Sequence, residues 1–154
     1  MSYSFGKRSL ENLKTCHKDI QLILQEVIKY YDFSIICGIR TMAEQQALFK
    51  AGKSKLDGIN KKSKHQGRRD SNDNLVSFAV DIMPYKKGTN AFSGEQKDLV
   101  RFYFLMGLVK ATAMKLLEEG RITHKIRLGM DWDSDDIYTD QCFDDLPHFE
   151  LVPV

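Results

Sequence analysis

A mixed α+β fold follows from three features of the chain. Two stretches carry apolar residues at helical spacing, three short runs read as strands, and no repeat, Pro-rich linker or low-complexity segment divides them. At 154 residues, with 42% hydrophobic and 29% charged residues, the chain suits one soluble domain with a sizeable core.

The elements are predicted as follows. From Ser9 to about Tyr31, the residues Leu10, Leu13, Ile20, Leu24, Val27 and Tyr31 recur at helical spacing, which predicts one helix with Ser9 capping its first turn. Phe33-Ser34-Ile35-Ile36-Cys37 reads as a buried strand. Thr41 and Glu44 then form a capping box for a helix that ends at Gly52, leaving Arg40 at the strand-to-helix junction. The polar stretch Gly67 to Asn74 reads as a surface loop. Ser93 and Gln96 predict the cap of a second long helix through Leu99, Phe102, Tyr103, Met106, Val109, Met114 and Leu117, stopping at Gly120; its Met and aromatic residues are core. Ile126 to Met130 and His148 to Leu151 read as strands. Alternation puts His148 and Glu150 on one face of the latter and Phe149 and Leu151 on the other.

Charge and cysteine usage narrow the function classes. A net charge of +2 is too small to imply nucleic acid. The basic residues nevertheless cluster at Lys50, Lys53, Lys55, Lys61, Lys62, Lys64, Arg68 and Arg69. That cluster is either a solvated loop or a salt-sensitive attraction toward an anionic polymer such as a bacterial wall. Cys16, Cys37 and Cys142 are too few and too scattered for a disulfide framework or a metal knuckle, and read as reduced thiols. The N-terminus lacks an apolar export segment and no run is long enough to span a bilayer, so the expectation is a protein held in the cytoplasm without membrane insertion.

His65, Asp81 and His148 carry the chemistry. Two imidazoles and a carboxylate are the three protein ligands of a catalytic zinc site, whose fourth position stays open for water. Asp145 stands three residues before His148, where it would act as general base, with Asp144 as its rival. Zinc brings the pKa of bound water to about 7 and polarises a carbonyl, so amide hydrolysis is the expected reaction class. Intervals of 16 and then 67 residues match no local metal motif such as His-Glu-x-x-His, so the assignment leans on the surrounding sequence. Asp131, Asp133 and Asp135 alternate like the start of a calcium loop, but Asp136 stands where Gly is needed and Cys142 where Glu is needed. A looser Ca2+ site or a solvated acidic turn remain as readings. His17, placed within the first helix, and His124 have no carboxylate partner evident and read as structural or surface residues.

Ser63-Lys64-His65 followed by Ala79-Val80-Asp81-Ile82 resembles the two halves of the Ser-x-His-x-x-Gly-x-Ala-x-Asp signature of the zinc D-alanyl-D-alanine carboxypeptidases and the related phage L-alanyl-D-glutamate endopeptidases. Asp145-Leu146-Pro147-His148-Phe149-Glu150 is similar to the closing acid-x-x-His element of the phage branch. Cys37-Gly38-Ile39-Arg40-Thr41, with Glu44-Gln45 and Phe49-Lys50-Ala51-Gly52, resembles the segment bearing a substrate-facing Arg. Gly129-Met130-Asp131-Trp132-Asp133 resembles a loop just before the closing motif, which would put it near the cleft. The family interval of seven residues between His and Asp becomes 16 here, so nine residues are inserted between Gln66 and Ser77. Asp70 and Asp73 are therefore rival ligands. Asp81 is preferred because Phe78 to Pro84 has the apolar strand context of the motif.

The resemblance implies a small antiparallel sheet flanked by helices, of the D-alanyl-D-alanine peptidase and hedgehog kind, and an endolysin cutting the L-alanyl-D-glutamate bond of peptidoglycan stem peptides. It implies zinc on His65, Asp81 and His148, Asp145 as base, Arg40 on a substrate carboxylate or oxyanion, Ser63 on substrate or orienting His65, and Glu150 behind a ligand. The expected partner is bacterial peptidoglycan, with no nucleic acid. A monomer is expected, made in the host cytoplasm, reaching the wall through a separate membrane lesion, and carrying no separate wall-binding domain. A D-alanyl-D-alanine carboxypeptidase or dipeptidase, and a catalytically inactive metal-stabilised wall-binding module, stay open as alternatives.

Overall fold

A computed structural model describes residues 3–138 and 140–154. The helices are α1 (Lys7–Lys14), α2 (Lys18–Val27), α3 (Met42–Lys50) and α4 (Gln96–Glu118). The strands are β1 (Phe33–Cys37), β2 (Arg68–Arg69), β3 (Leu75–Val76), β4 (Ala79–Pro84), β5 (Lys125–Leu128) and β6 (His148–Val152). Four strands form an antiparallel sheet in the order β1-β4-β6-β5.

The sheet has two chemically different faces because side chains alternate along each strand. Val80 and Ile82 of β4 and Phe149 and Leu151 of β6 enter the core, where they join Ile20, Ile23 and Leu24 of α2 and Leu105, Met106 and Val109 of α4. Each large apolar side chain so buried stabilises the fold by roughly 1.5–3 kcal/mol. The opposite face carries Asp81, His148 and Glu150, as alternation in β6 predicts. Register places Asp81 directly across from His148 and Ala79 across from Glu150.

Four local expectations are corrected. The predicted first helix is two helices, because residues 15–17 leave the helical path to pair with Ser77: His17 N donates to Ser77 O at 2.8 Å and Ser77 N to Thr15 O at 2.8 Å. His17 is thus the N-cap of α2 rather than an interior residue, its Nδ1 accepting from Asp19 N at 3.1 Å. Ser9 does not cap α1, which starts after Gly6; its Oγ instead accepts from Ile35 N at 3.1 Å. The cap of α4 is Glu95 rather than Ser93, whose hydroxyl is bonded to Asp98.

The fourth correction concerns the insertion. Gly67 to Asn74 is not a plain loop but most of a hairpin, with Arg68 paired to Val76 and Arg69 to Leu75. Asp70 organises its tip by accepting from Asn72 N and Asn74 N, each at 2.9 Å, and Asp73 takes a left-handed φ of 63° that such a turn requires. The extra residues close upon themselves, so the chain returns to the sheet with the β4 register intact. The capping box of α3 is present as predicted, Thr41 and Glu44 bonding reciprocally.

Candidate active site

Three elements bring His65, Asp81 and His148 together. Asp81 and His148 face each other across the β4–β6 pair. His65 arrives from the segment after α3 and is pinned by its backbone: Arg40 N donates to His65 O at 2.8 Å, and His65 N donates to Ser63 Oγ at 3.2 Å. The resulting triangle is tight, with His65 Nε2 3.1 Å from Asp81 Oδ1, His148 Nδ1 3.0 Å from the same oxygen, and the two ring nitrogens 3.2 Å apart.

The groups behind the rings decide what that triangle holds. His65 Nδ1 lies 2.8 Å from Gly38 O, a pure acceptor, so that nitrogen carries the proton and Nε2 presents a lone pair. His148 Nε2 lies 3.3 Å from Glu150 Oε2, which likewise leaves Nδ1 unprotonated. Two lone pairs and a carboxylate oxygen then point at one spot and repel one another unless a cation sits among them. With donor atoms about 2.0–2.2 Å from zinc, neighbouring ligand atoms of a tetrahedral ion lie roughly 3.3–3.6 Å apart, so the three atoms at 3.0–3.2 Å need to spread by a few tenths of an ångström to take one.

The ionisation behaviour has the same origin. Burial disfavours an imidazolium at His65, but hydrogen bonds to Asp81 and Cys37 outweigh it and push its pKa up to about 10. His148 is raised against its own burial by Asp81 and Glu150. Asp81, although buried, is held well below the usual carboxylate range by His148 and His65. Burial alone would raise Glu150, yet His148 and Arg127 bring it down to about 2. A positive charge at the centre of this triangle is favoured throughout.

A cleft of about 640 Å³ opens above the triangle and also receives Arg40, Ser63 and Asp145. Asp145 N donates to Gly129 O at 2.8 Å, His148 N donates to Asp145 O at 2.9 Å, and a Cβ on Gly129 would meet Asp145 O at 2.3 Å. Glycine is needed at 129 for this close approach. Burial raises the Asp145 carboxyl above its ordinary value, the direction a general base working near neutral pH requires. Asp144 is exposed and does not line the cleft, and the hairpin-tip Asp70 and Asp73 do not line it either.

Arg40 reaches Asp81 Oδ2 at 3.3 Å and Gln45 Oε1 at 2.8 Å, so it braces the carboxylate as well as facing the cleft. Further residues shape the site, among them Trp132 of the loop that the resemblance placed near the cleft. Cys37 Sγ is 3.7 Å from His65 Nδ1 and 3.5 Å from Arg40 Nη2. Trp132 lies 5.5 Å from His148 between ring centroids and donates to Phe143 O at 3.0 Å. Arg127 pairs with Glu150. The strand alternation that exposed Glu150 to the cleft was a usable signal; nothing local marked Cys37 or Arg127.

Two further groups of side chains close enough together to hold a metal ion occur among the described residues. In one, contrary to expectation, His124 and His17 do have a carboxylate partner: Asp19 Oδ2 lies 2.8 Å from His124 Nδ1 and also accepts from Thr123 N at 2.9 Å. In the other, Asp131, Asp133 and Asp135 converge, but the Lys110 ammonium already lies 3.3 Å from Asp131 Oδ2.

Comparison with known proteins places the chain in a family. The chain is 29% identical over 143 residues to the L-alanyl-D-glutamate peptidase of Escherichia phage T5, covering 92% of this chain and 90% of that protein. The crystal structure of Serratia marcescens L-Ala D-Glu endopeptidase ChiX shares the fold, with a TM-score of 0.67 and 24% identity over 98% of this chain and 91% of that one. The family model described as phage L-alanyl-D-glutamate peptidase matches residues 1–152, and the chain belongs to that family.

Proposed function

We propose that this protein is a zinc-dependent endolysin that hydrolyses the L-alanyl-D-glutamate bond of peptidoglycan stem peptides. The observation that carries the reading is the convergence of His65 Nε2, His148 Nδ1 and Asp81 Oδ1 beneath a cleft that also holds Asp145, in a chain of this family. Zinc held there would supply a Lewis acid that acidifies water and polarises the scissile carbonyl.

The chain's own residues do the rest. Asp145 takes the proton of the attacking water and delivers it to the departing D-glutamate amine. Glu150 and Gly38 O hold the two imidazoles in their ligating tautomers. Arg40 orients Asp81 by donating to its Oδ2, and presents positive charge toward the developing oxyanion. Ser63 orients His65 through its backbone. Calcium at Asp131, Asp133 and Asp135 would compete with the Lys110 ammonium.

In this reading the enzyme is a monomer made in the host cytoplasm that reaches the wall through a lesion formed by another protein. Among the described residues, no helix is long and apolar enough to cross a membrane.

The test is digestion of purified peptidoglycan by untreated, chelated and zinc-restored protein, with mass spectrometry of the new termini. A D-glutamate amine that appears only with metal is expected. Free D-alanine would replace the reading with a carboxypeptidase, and stoichiometric zinc with wall retention but no product would replace it with a binding module.

A further inference from the structure

The cations of the cleft fall into two groups. Arg40 pairs with Asp81, and Lys64 and Arg127 pair with Glu150, so these three are neutralised by the site's own carboxylates. Lys53, Lys55, Lys62 and Arg68 line the same cleft, and none of them has a carboxylate partner among the described residues. The remaining acid of the cleft, Asp145, does not pair with them.

The backbone of that outer wall is anchored, while its four charged side chains are exposed. Gln45 is fully buried, and its Nε2 donates to Ser54 Oγ at 2.8 Å and to Leu56 O at 2.7 Å, which fixes the segment bearing Lys53 and Lys55. The same Gln45 accepts from Arg40, so wall and zinc triangle are one connected structure. Lys55 Nζ lies 5.2 Å from the centre of the Phe143 ring, and Ser63 N donates to Gln66 Oε1 at 2.9 Å next to Lys62. Four like charges lining one concave surface focus a positive potential there and favour an anionic occupant.

Substrate chemistry supplies that anion. A glutamate whose amine is the scissile nitrogen carries two carboxyl groups and prolongs the chain through one, so the other stays a carboxylate unless it is amidated. We propose that Lys53, Lys55, Lys62 and Arg68 form a carboxylate-reading wall that makes the enzyme discriminate free-carboxylate stem peptides from carboxamide ones. This rests on the peptidase reading above and adds its substrate specificity.

Two soluble peptides containing the L-alanyl-D-glutamyl bond, one with free carboxylates and one with carboxamides, are compared by kcat/KM with zinc-loaded protein at low salt. A preference of roughly tenfold for the carboxylate peptide is expected from several charge-assisted contacts at exposed positions, each weak by itself. The combined variant K53Q/K55Q/K62Q/R68Q should reduce it to about twofold or less. Lys61→Gln, exposed and outside the cleft, should keep it. Equal values for the two peptides, or an undiminished preference in the combined variant, would overturn the proposal.

Binding of both peptides to the Asp145→Ala protein reads the same preference without turnover. A binding preference without cleavage by the wild type would sink the assigned bond and leave the wall standing; cleavage without preference would do the reverse. Because these peptides carry no wall polymer, a preference between them cannot come from general attraction to the wall.

Discussion

Two clusters in this molecule each combine two histidines with one aspartate, and they differ in how many lone pairs are left facing a common point. At His65, Asp81 and His148, the acceptors Gly38 O and Glu150 stand behind the rings and turn both lone pairs inward. At His17, Asp19 and His124, the lone pair of His17 Nδ1 is already spent on Asp19 N, and Asp19 Oδ2 is filled by Thr123 and His124. The second cluster therefore staples the start of α2 to the loop after α4. Residue types do not make a metal site; the direction of the lone pairs does.

The sharpest way to separate the clusters is to remove chemistry from the first. Asp145→Ala should lower kcat by roughly 10²–10⁴-fold while zinc stays bound at one equivalent, as read by metal analysis beside the digestion assay. Loss of zinc together with activity would mean that Asp145 supports the ligands instead. Next in size, Glu150→Gln removes the carboxylate behind His148 and should weaken zinc about 10–100-fold in a chelator competition. An unchanged affinity would show that Glu150 does not set the tautomer.

Acidity should also distinguish them. Below about pH 10, zinc must displace the proton that Asp81 holds on His65 Nε2, so apparent affinity should weaken about tenfold for each unit the pH falls, for one displaced proton. In the metal-free protein that raised pKa stabilises the fold below about pH 6.5, and the contribution is lost as pH rises through about 10. A zinc affinity flat between pH 6 and 8 would contradict the shared-proton picture.

The smallest effect on the chemistry belongs to the second cluster. Asp19→Ala should leave zinc stoichiometry intact yet cost about 2–4 kcal/mol in denaturant unfolding, because Thr123 N and His124 lose a buried charged acceptor. Burial works against the Asp19 carboxylate, but hydrogen bonds from His124 and Thr123 outweigh it and lower its pKa. Its stabilisation is thus present above its unfolded pKa of 3.8 and is lost as pH falls below it. A variant that unfolds like the wild type would make the staple ornamental.

Much of this site was legible in advance because it depends on short-range rules. Alternation along residues 148–151 set His148 and Glu150 apart from Phe149 and Leu151, and the Thr41–Glu44 box marked the start of α3. The break at residues 15–17 was not legible, because apolar spacing continues across it and its cause is pairing with Ser77, some 60 residues away. The insertion read as polar and therefore as loop. Its short strands arise from a turn organised by Asp70, whose pairing across Arg68 and Val76 leaves no period to detect.

The sequence by itself determined the α+β class and the family resemblance, and it singled out His65, Asp81 and His148 as candidate ligands and Asp145 as the candidate acid, since each is written in local pattern or motif. Tertiary structure decided which ring nitrogen of each histidine faces inward, that Cys37 and Gln45 stand behind the site, and which cleft cations lack partners. Those outcomes depend on contacts between residues distant in the chain. Hydrogen bonds and charge pairs at about 3 Å are set by how elements pack, which spacing along one chain does not encode.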